Sequence, residues 1–121
     1  MSRTFADFND SQRASRLTVT CEEFKPLLRN TLCGFATIRI AEMRMAIRDV
    51  AIHQKGAARW AQLPAKPQID KDGVALRDKT TGKIAYSTII ELDDRATRDA
   101  FSQAVIAAVL EFDPGAFEAV P

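Results

Sequence analysis

Residues 32–53 read Leu32-Cys33-Gly34-Phe35-Ala36-Thr37-Ile38-Arg39-Ile40-Ala41-Glu42-Met43-Arg44-Met45-Ala46-Ile47-Arg48-Asp49-Val50-Ala51-Ile52-His53. In the first half, Leu32, Gly34, Ala36, Ile38 and Ile40 fall on one face and Cys33, Phe35, Thr37 and Arg39 on the other. In the second, Met43, Met45, Ile47, Asp49, Ala51 and His53 share a face, opposite Arg44, Ala46, Arg48, Val50 and Ile52. A period of two is the mark of a strand. A single helix from Ala36 to Val50 is the competing reading, because Ala, Glu, Met and Arg favour helices. The β-branched residues and the alternation favour two strands. Only Ala41-Glu42 separates them, so a tight hairpin is expected, although this turn lacks the usual Asn-Gly or Gly. Such a turn pairs Ile40 with Met43, Arg39 with Arg44, Ile38 with Met45 and Phe35 with Arg48. The face made of Ala36, Ile38, Ile40, Met43, Met45 and Ile47 then needs a cover.

Outward from the hairpin, Leu17, Val19 and Cys21 alternate with Thr18, Thr20 and Glu22. This is a strand, expected to end at Phe24-Lys25-Pro26 because proline cannot donate to a ladder. On the other side, residues 54–58 form a turn. Arg59 to Leu63 is a short strand carrying Trp60, stopped by Pro64 and Pro67, and is the candidate sheet edge. Gln68 to Lys83 reads as a long polar loop, with a hairpin turn between Lys79 and Lys83. Ile84 to Leu92 returns to strand character, with Ile84, Tyr86, Thr88 and Ile90 on one face. Asp93 or Asp94 caps a helix that runs to about Glu111. Its stripe is Phe101, Val105, Ala108 and Phe112, widened by Ala104, Val109 and Leu110. Asp113-Pro114-Gly115 ends it. That helix can supply the cover. The expected fold is α+β: a curved antiparallel sheet of four to five strands with a C-terminal helix packed on one face. Residues 1–16 form a polar arm with Phe5 and Phe8 as its large apolar residues, 17–113 a single domain and 114–121 a tail.

The chain has 121 residues, 46% hydrophobic and 27% charged, with a formal net charge of +1. This composition suits one folded domain and argues against a disordered chain or a globally basic nucleic-acid coat. Apolar runs are too short for a membrane helix, and the first residues lack the apolar core of a secretory signal, so a cytoplasmic protein is expected. Cys21 and Cys33 are the only cysteines and His53 the only histidine. A structural zinc site wants about four ligands, so neither metal nor cofactor is expected. Asp70-Lys71-Asp72-Gly73 has the glycine and the final glutamate of a calcium loop out of place and reads as a turn. Gly82-Lys83 lacks the rest of a phosphate loop. No serine or cysteine motif gathers around His53, which reads as a strand-end or loop histidine, and no enzymatic site emerges.

The remaining chemistry is cationic and aromatic. Apposed Arg39 and Arg44, with Arg48 beside Phe35, destabilise a hairpin unless an anion faces them. That anion is a phosphate backbone, or simply Glu42, Glu22 or Glu91. Arginine beside an exposed ring is a common way to hold a nucleic-acid backbone and stack its bases. Arg95 and Arg98 lie in the first turns of the helix, where they oppose its dipole while Asp93, Asp94 and Asp99 offset them. They suit a phosphate contact or an ordinary solvated helix start. Trp60 suits base stacking, a core position or a dimer interface.

From Leu32 to Val109 the chain resembles the stage V sporulation protein G (septation regulator) family. The likeness runs through Gly34-Phe35-Ala36-Thr37-Ile38-Arg39-Ile40, then Met45-Ala46-Ile47-Arg48-Asp49-Val50-Ala51-Ile52. It continues through Gly56, Arg59-Trp60-Ala61-Gln62-Leu63-Pro64, Lys66 and Asp72-Gly73. It ends at Thr97-Arg98-Asp99-Ala100-Phe101-Ser102-Gln103-Ala104-Val105. A looser likeness exists to single-strand-binding transcriptional coactivators and Whirly-type modules. The resemblance implies a small antiparallel sheet with a C-terminal helix, a homodimer, and binding of DNA or RNA with Arg98 among the contacts. Here Ala65 stands where that family often has serine, and the chain adds an N-terminal arm and a longer 68–83 loop. The expected function is therefore a non-enzymatic nucleic-acid-binding regulator. The alternative is a protein–protein adaptor or oligomerisation module.

Overall fold

A computed structural model describes residues 3–5 and 17–118 of the protein. A five-stranded antiparallel sheet runs in chain order: β1 (Arg3–Phe5), β2 (Leu17–Arg29), β3 (Leu32–Ile40), β4 (Met45–Lys55) and β5 (Ala58–Gln62). A second, two-stranded sheet pairs β6 (Ala65–Pro67) with β7 (Tyr86–Thr88). The helix α1 (Arg95–Phe112) packs against β1, β2, β3 and β5. Of the expected N-terminal arm, β1 is the described part; the rest of residues 1–16, Phe8 included, lies outside the described residues.

The core lies between sheet and helix. It joins Val19 of β2, Cys33, Ala36, Ile38 and Ile40 of β3, and Ile47, Val50 and Ile52 of β4. These meet Phe101, Ala104, Val105, Ile106, Ala108 and Val109 of α1. The core continues past the expected domain end, with Ala116 and Phe117 also buried. Asp94 is the N-cap of α1: its carboxylate accepts from Thr97 N at 2.8 Å. Phe112, expected in the buried stripe, is half exposed, and Ile106 is buried beside Val105 instead.

Several expectations are corrected. β2 does not stop at Pro26 but continues to Arg29, with Pro26 opposite Gly34. Proline is tolerated on edge strands and at bulges. Here the ladder shifts between Pro26 and Arg29, and among the described residues β2 has no outer partner beyond Val19. The β3–β4 connection is not a two-residue turn. Residues 41–43 form a 3-10 turn and Arg44 takes the left-handed conformation at φ 53°. Without Asn-Gly or Gly at 41–42, the tighter primed turn is unfavourable and a wider one forms. Ile40 therefore pairs with Met45, Arg39 with Ala46 and Ile38 with Ile47. Arg39 and Arg44 do not face each other.

A bulge then reverses the faces of β4. Ile38 pairs with Ile47 and Ala36 with Val50, so Arg48 and Asp49 together oppose Thr37. Asp49 has φ 59°, a conformation that short Asn and Asp side chains adopt more readily than most. Beyond it Val50 and Ile52 turn to the core, while Asp49, Ala51 and His53 leave the face assigned to them by simple alternation.

The stretch 68–83 is not structureless. Bridges join Ile69 to Ala75 and Arg77 to Ile84, and they extend the β6–β7 sheet into a folded arm. Asp70 accepts from Asp72 N and Val74 N, and Asp78 from Thr80 N and Thr81 N, so each carboxylate builds one of its turns. The strand expected from Ile84 to Leu92 is reduced to β7, with Tyr86 and Thr88 exposed.

Candidate functional site

The sheet has one face under α1 and one face without the helix. Strand register assigns the residues of the second. β3 contributes Phe35, Thr37 and Arg39; β2 contributes Lys25 opposite Phe35 and Glu23 opposite Thr37. Across β4, Phe35 faces Ala51, which faces Gln62 of β5; the next row is Leu32, His53 and Trp60. Neither Trp60 nor Phe35 is fully buried.

Three hollows adjoin one another here. A groove of about 680 Å³ is lined by Leu32, Phe35, Ala51, His53, Gln62 and Leu63, with Tyr86 and Ile89 of the arm as its far wall. This size falls within the range of small-molecule sites. On one side, Phe35 and Asp49 are shared with a small hollow of about 90 Å³ that holds Arg48, Lys25 and Glu23. On the other, Gln62, Leu63 and Ala65 are shared with a hollow of about 290 Å³ between β5 and the helix start, where Arg98 and Phe101 lie. A continuous track thus leads from Arg48 past Phe35 and around the β5 rim to Arg98.

His53 sits in the floor of this track. Its ring stacks on Trp60 with centroids 5.3 Å apart and planes 6° from parallel. Its Nδ1 lies 2.9 Å from Thr31 Oγ1, while its Nε2 is buried and, among the described residues, lacks a well-formed hydrogen bond, with the Gln62 amide close to the ring. Burial holds the imidazole below its ordinary pKa, and the nearby Gln62 amide acts in the opposite direction. The ring is therefore neutral at neutral pH.

The other predicted residues are dispersed. Arg39 binds Glu22, Nε to Oε2, at 2.5 Å, which makes Glu22 the anion it needed. Arg44 occupies the tip of the β3–β4 turn. Its neighbour Glu42 instead accepts from Thr18 N and Thr18 Oγ1, both at 2.6 Å, and ties the turn to β2. Arg95 reaches Asp99 at 3.8 Å on an exposed turn. Arg98 donates to Leu92 O across a long 3.5 Å and lies near enough to Asp94 to help lower the pKa of that carboxylate. The structure brings Phe35, Arg48 and Trp60 onto one face with Arg98 around the rim; Arg39 shares that face but is engaged by Glu22, and Arg44 and Arg95 lie elsewhere.

His53, Gln62 and Lys25 were missed as site residues. Alternation in β5 already places Trp60 and Gln62 on one face, a signal available in the sequence. For His53 that signal pointed the wrong way until the bulge was known.

Among the described residues, no three His, Cys, Asp or Glu side chains gather to hold a metal ion. No helix among them is long and apolar enough to cross a membrane. Cys21 and Cys33 are free, and burial raises both thiol pKa values, which disfavours the reactive thiolate. Comparison with family models, curated proteins and solved structures finds no match to this chain.

Proposed function

We propose that this is a nucleic-acid-binding regulatory protein that lays a single strand, DNA or RNA, along the helix-free face of its sheet, and that it acts as a dimer. One observation carries the reading: Phe35 lies between the Arg48–Lys25 hollow and the groove floored by His53, whose ring is stacked on Trp60, on a face the helix leaves uncovered. Rings set among cations are how sequence-tolerant single-strand binders combine stacking with phosphate contacts. Arg48 and Lys25 supply charge at one end of the track and Arg98 at the other. Asp49 and Glu23 temper that charge, which favours stacking over a purely electrostatic grip. The likeness to the septation regulators supports a role for Arg98.

Fluorescence anisotropy with single-stranded, double-stranded and RNA probes at two salt concentrations tests this. Single strands should bind more tightly than duplex. Phe35→Ala should weaken single-strand binding by about 1–3 kcal/mol without altering the salt slope. Arg48→Ala and Arg98→Ala should each lower that slope by about one. Absence of binding at low salt up to about 100 micromolar, where even non-specific binders register, would end the reading.

A second reading rests on the arm. Ile69, Val74, Leu76, Tyr86 and Ile89 are all exposed there. Clustered exposed apolar residues mark interaction surfaces. They suit the dimer, and equally an adaptor or oligomerisation module with no nucleic-acid role. The adaptor reading forecasts no probe binding in the same titration.

A further inference from the structure

The groove contains more than stacking needs. Its floor holds an imidazole nitrogen, His53 Nε2, that is buried and, among the described residues, has no well-formed hydrogen bond, although the Gln62 amide lies close to the ring. Leaving such a group unsatisfied is costly, and native structures usually supply a partner. The Thr31 hydroxyl at Nδ1 sets what that partner must be. If the hydroxyl donates, the ring proton sits on Nε2 and a ligand acceptor completes it; if the hydroxyl accepts, Nε2 awaits a ligand donor. Beside it is the Gln62 side chain, whose amide offers both a donor and an acceptor. The surrounding walls, Leu32, Ala51 and Leu63, are apolar, and Phe35 presents a ring.

We infer that the groove is a pocket for one unpaired nucleobase, with Phe35 stacking on the ring and His53 Nε2 and the Gln62 amide reading its edge. This rests on the single-strand reading above and goes further, since a stacking platform alone takes any base and a pair of edge contacts discriminates among them. A flat heteroaromatic ring bordered by donors and acceptors matches both halves of the groove, the apolar walls and the polar corner. The Arg48 hollow shares Phe35 with the groove, which places a cation where the adjoining phosphate would run. Trp60 does not touch the base in this arrangement; stacked on the far side of His53, it holds the imidazole in place.

The test compares homopolymer oligonucleotides of each base with an abasic strand of the same length. Two variants are used. His53→Phe keeps a ring against Trp60 and removes the nitrogens. Gln62→Ala alters an exposed side chain and spares the fold. Each should weaken binding of at least one homopolymer about fivefold to tenfold, the worth of one hydrogen bond, and flatten the preference among bases. Binding to the abasic strand and the salt slope should not change. Emission of Trp60, the sole tryptophan, should respond to the preferred homopolymer and not to the abasic strand. Equal losses on abasic and base-bearing strands would overturn the inference. So would unchanged binding by both variants while Phe35→Ala still weakens it, a result that leaves the strand-binding reading standing. If the unaltered protein binds no strand at all, both fall together.

Discussion

Gly34 of β3 lies opposite Pro26 of β2. A Cβ built there would meet the Lys25 carbonyl oxygen and come within 2.8 Å of the Phe24 ring. The Phe24 ring thus lies against the backbone that a side chain would otherwise cover. Gly34→Ala should lower stability by about 1–3 kcal/mol, as overpacking of a tight site does, and urea denaturation would measure it. Little in the sequence marks this glycine, because the clash arises from residues in another strand. His53 makes a different residue-scale forecast. Its folded pKa is depressed by burial, so the unfolded chain takes up a proton more readily than the native one. The stability contributed by neutral His53 is fully present above the unfolded imidazole value of about 6.5 and is lost as pH falls through the lower folded value. Urea midpoints measured from neutral towards mildly acid pH should fall more steeply for the native protein than for His53→Phe. Parallel curves would remove His53 from the acid response.

At the scale of elements, β5 is the sheet edge that the proline-bounded stretch 59–63 suggested, but its edge is not left open. Ser102 of α1 accepts a hydrogen bond from Ala61 N at 2.8 Å, so the helix latches the strand. An edge whose N–H is already paired is a poor template for another chain. Ser102→Ala should therefore cost about 1–3 kcal/mol through the unpaired amide, read as a lower denaturation midpoint. The opposite end of β5 is secured differently. Arg59 lies over the Phe117 ring at 4.4 Å and donates to Gln54 Oε1, while Gln54 Nε2 donates to Phe117 O. These ties explain why the core extends past the end of α1. The helix itself was legible, from a cap at Asp93 or Asp94 to the Phe101, Val105 and Ala108 stripe, because caps and stripes depend on residues within a few turns. The bulge at Arg48-Asp49 was not legible, since neither residue signals its φ before Ile47 and Val50 have both found the core.

For the whole molecule, the proposed dimer requires a surface on which a second copy can dock. With the β5 edge latched, the apolar arm is the better surface: Ile69 and Val74 are each 59% exposed and Tyr86 58%. Sedimentation equilibrium should return a dimer, and Ile69→Asp with Val74→Asp should convert it to monomer without unfolding the main sheet. A single 13.4 kDa species at high micromolar concentration would remove the dimer from the proposal. Strand binding by a monomeric double variant would show that the arm and the helix-free face act independently.

Local order was carried by the amino-acid sequence itself. Alternation placed strands over most of residues 17–63, a cap at Asp93 or Asp94 and the apolar stripe placed the helix, and Asp70-Lys71-Asp72-Gly73 and the stretch Lys79 to Lys83 placed turns, because each of these choices is made among residues adjacent along the chain. Even the aromatic and arginine content of the candidate face could be read there. Tertiary structure alone decided how these pieces meet. A four-residue turn in place of two shifted the hairpin register and separated Arg39 from Arg44. One extra residue in β4 exchanged its faces and carried His53 out of the core face and against Trp60. A helix serine took up one amide, Ala61 N, of an edge that looked free. In a strand the side-chain period is two, so any one-residue change of register or bulge inverts every later face, and the partner strand and the core determine where that change occurs.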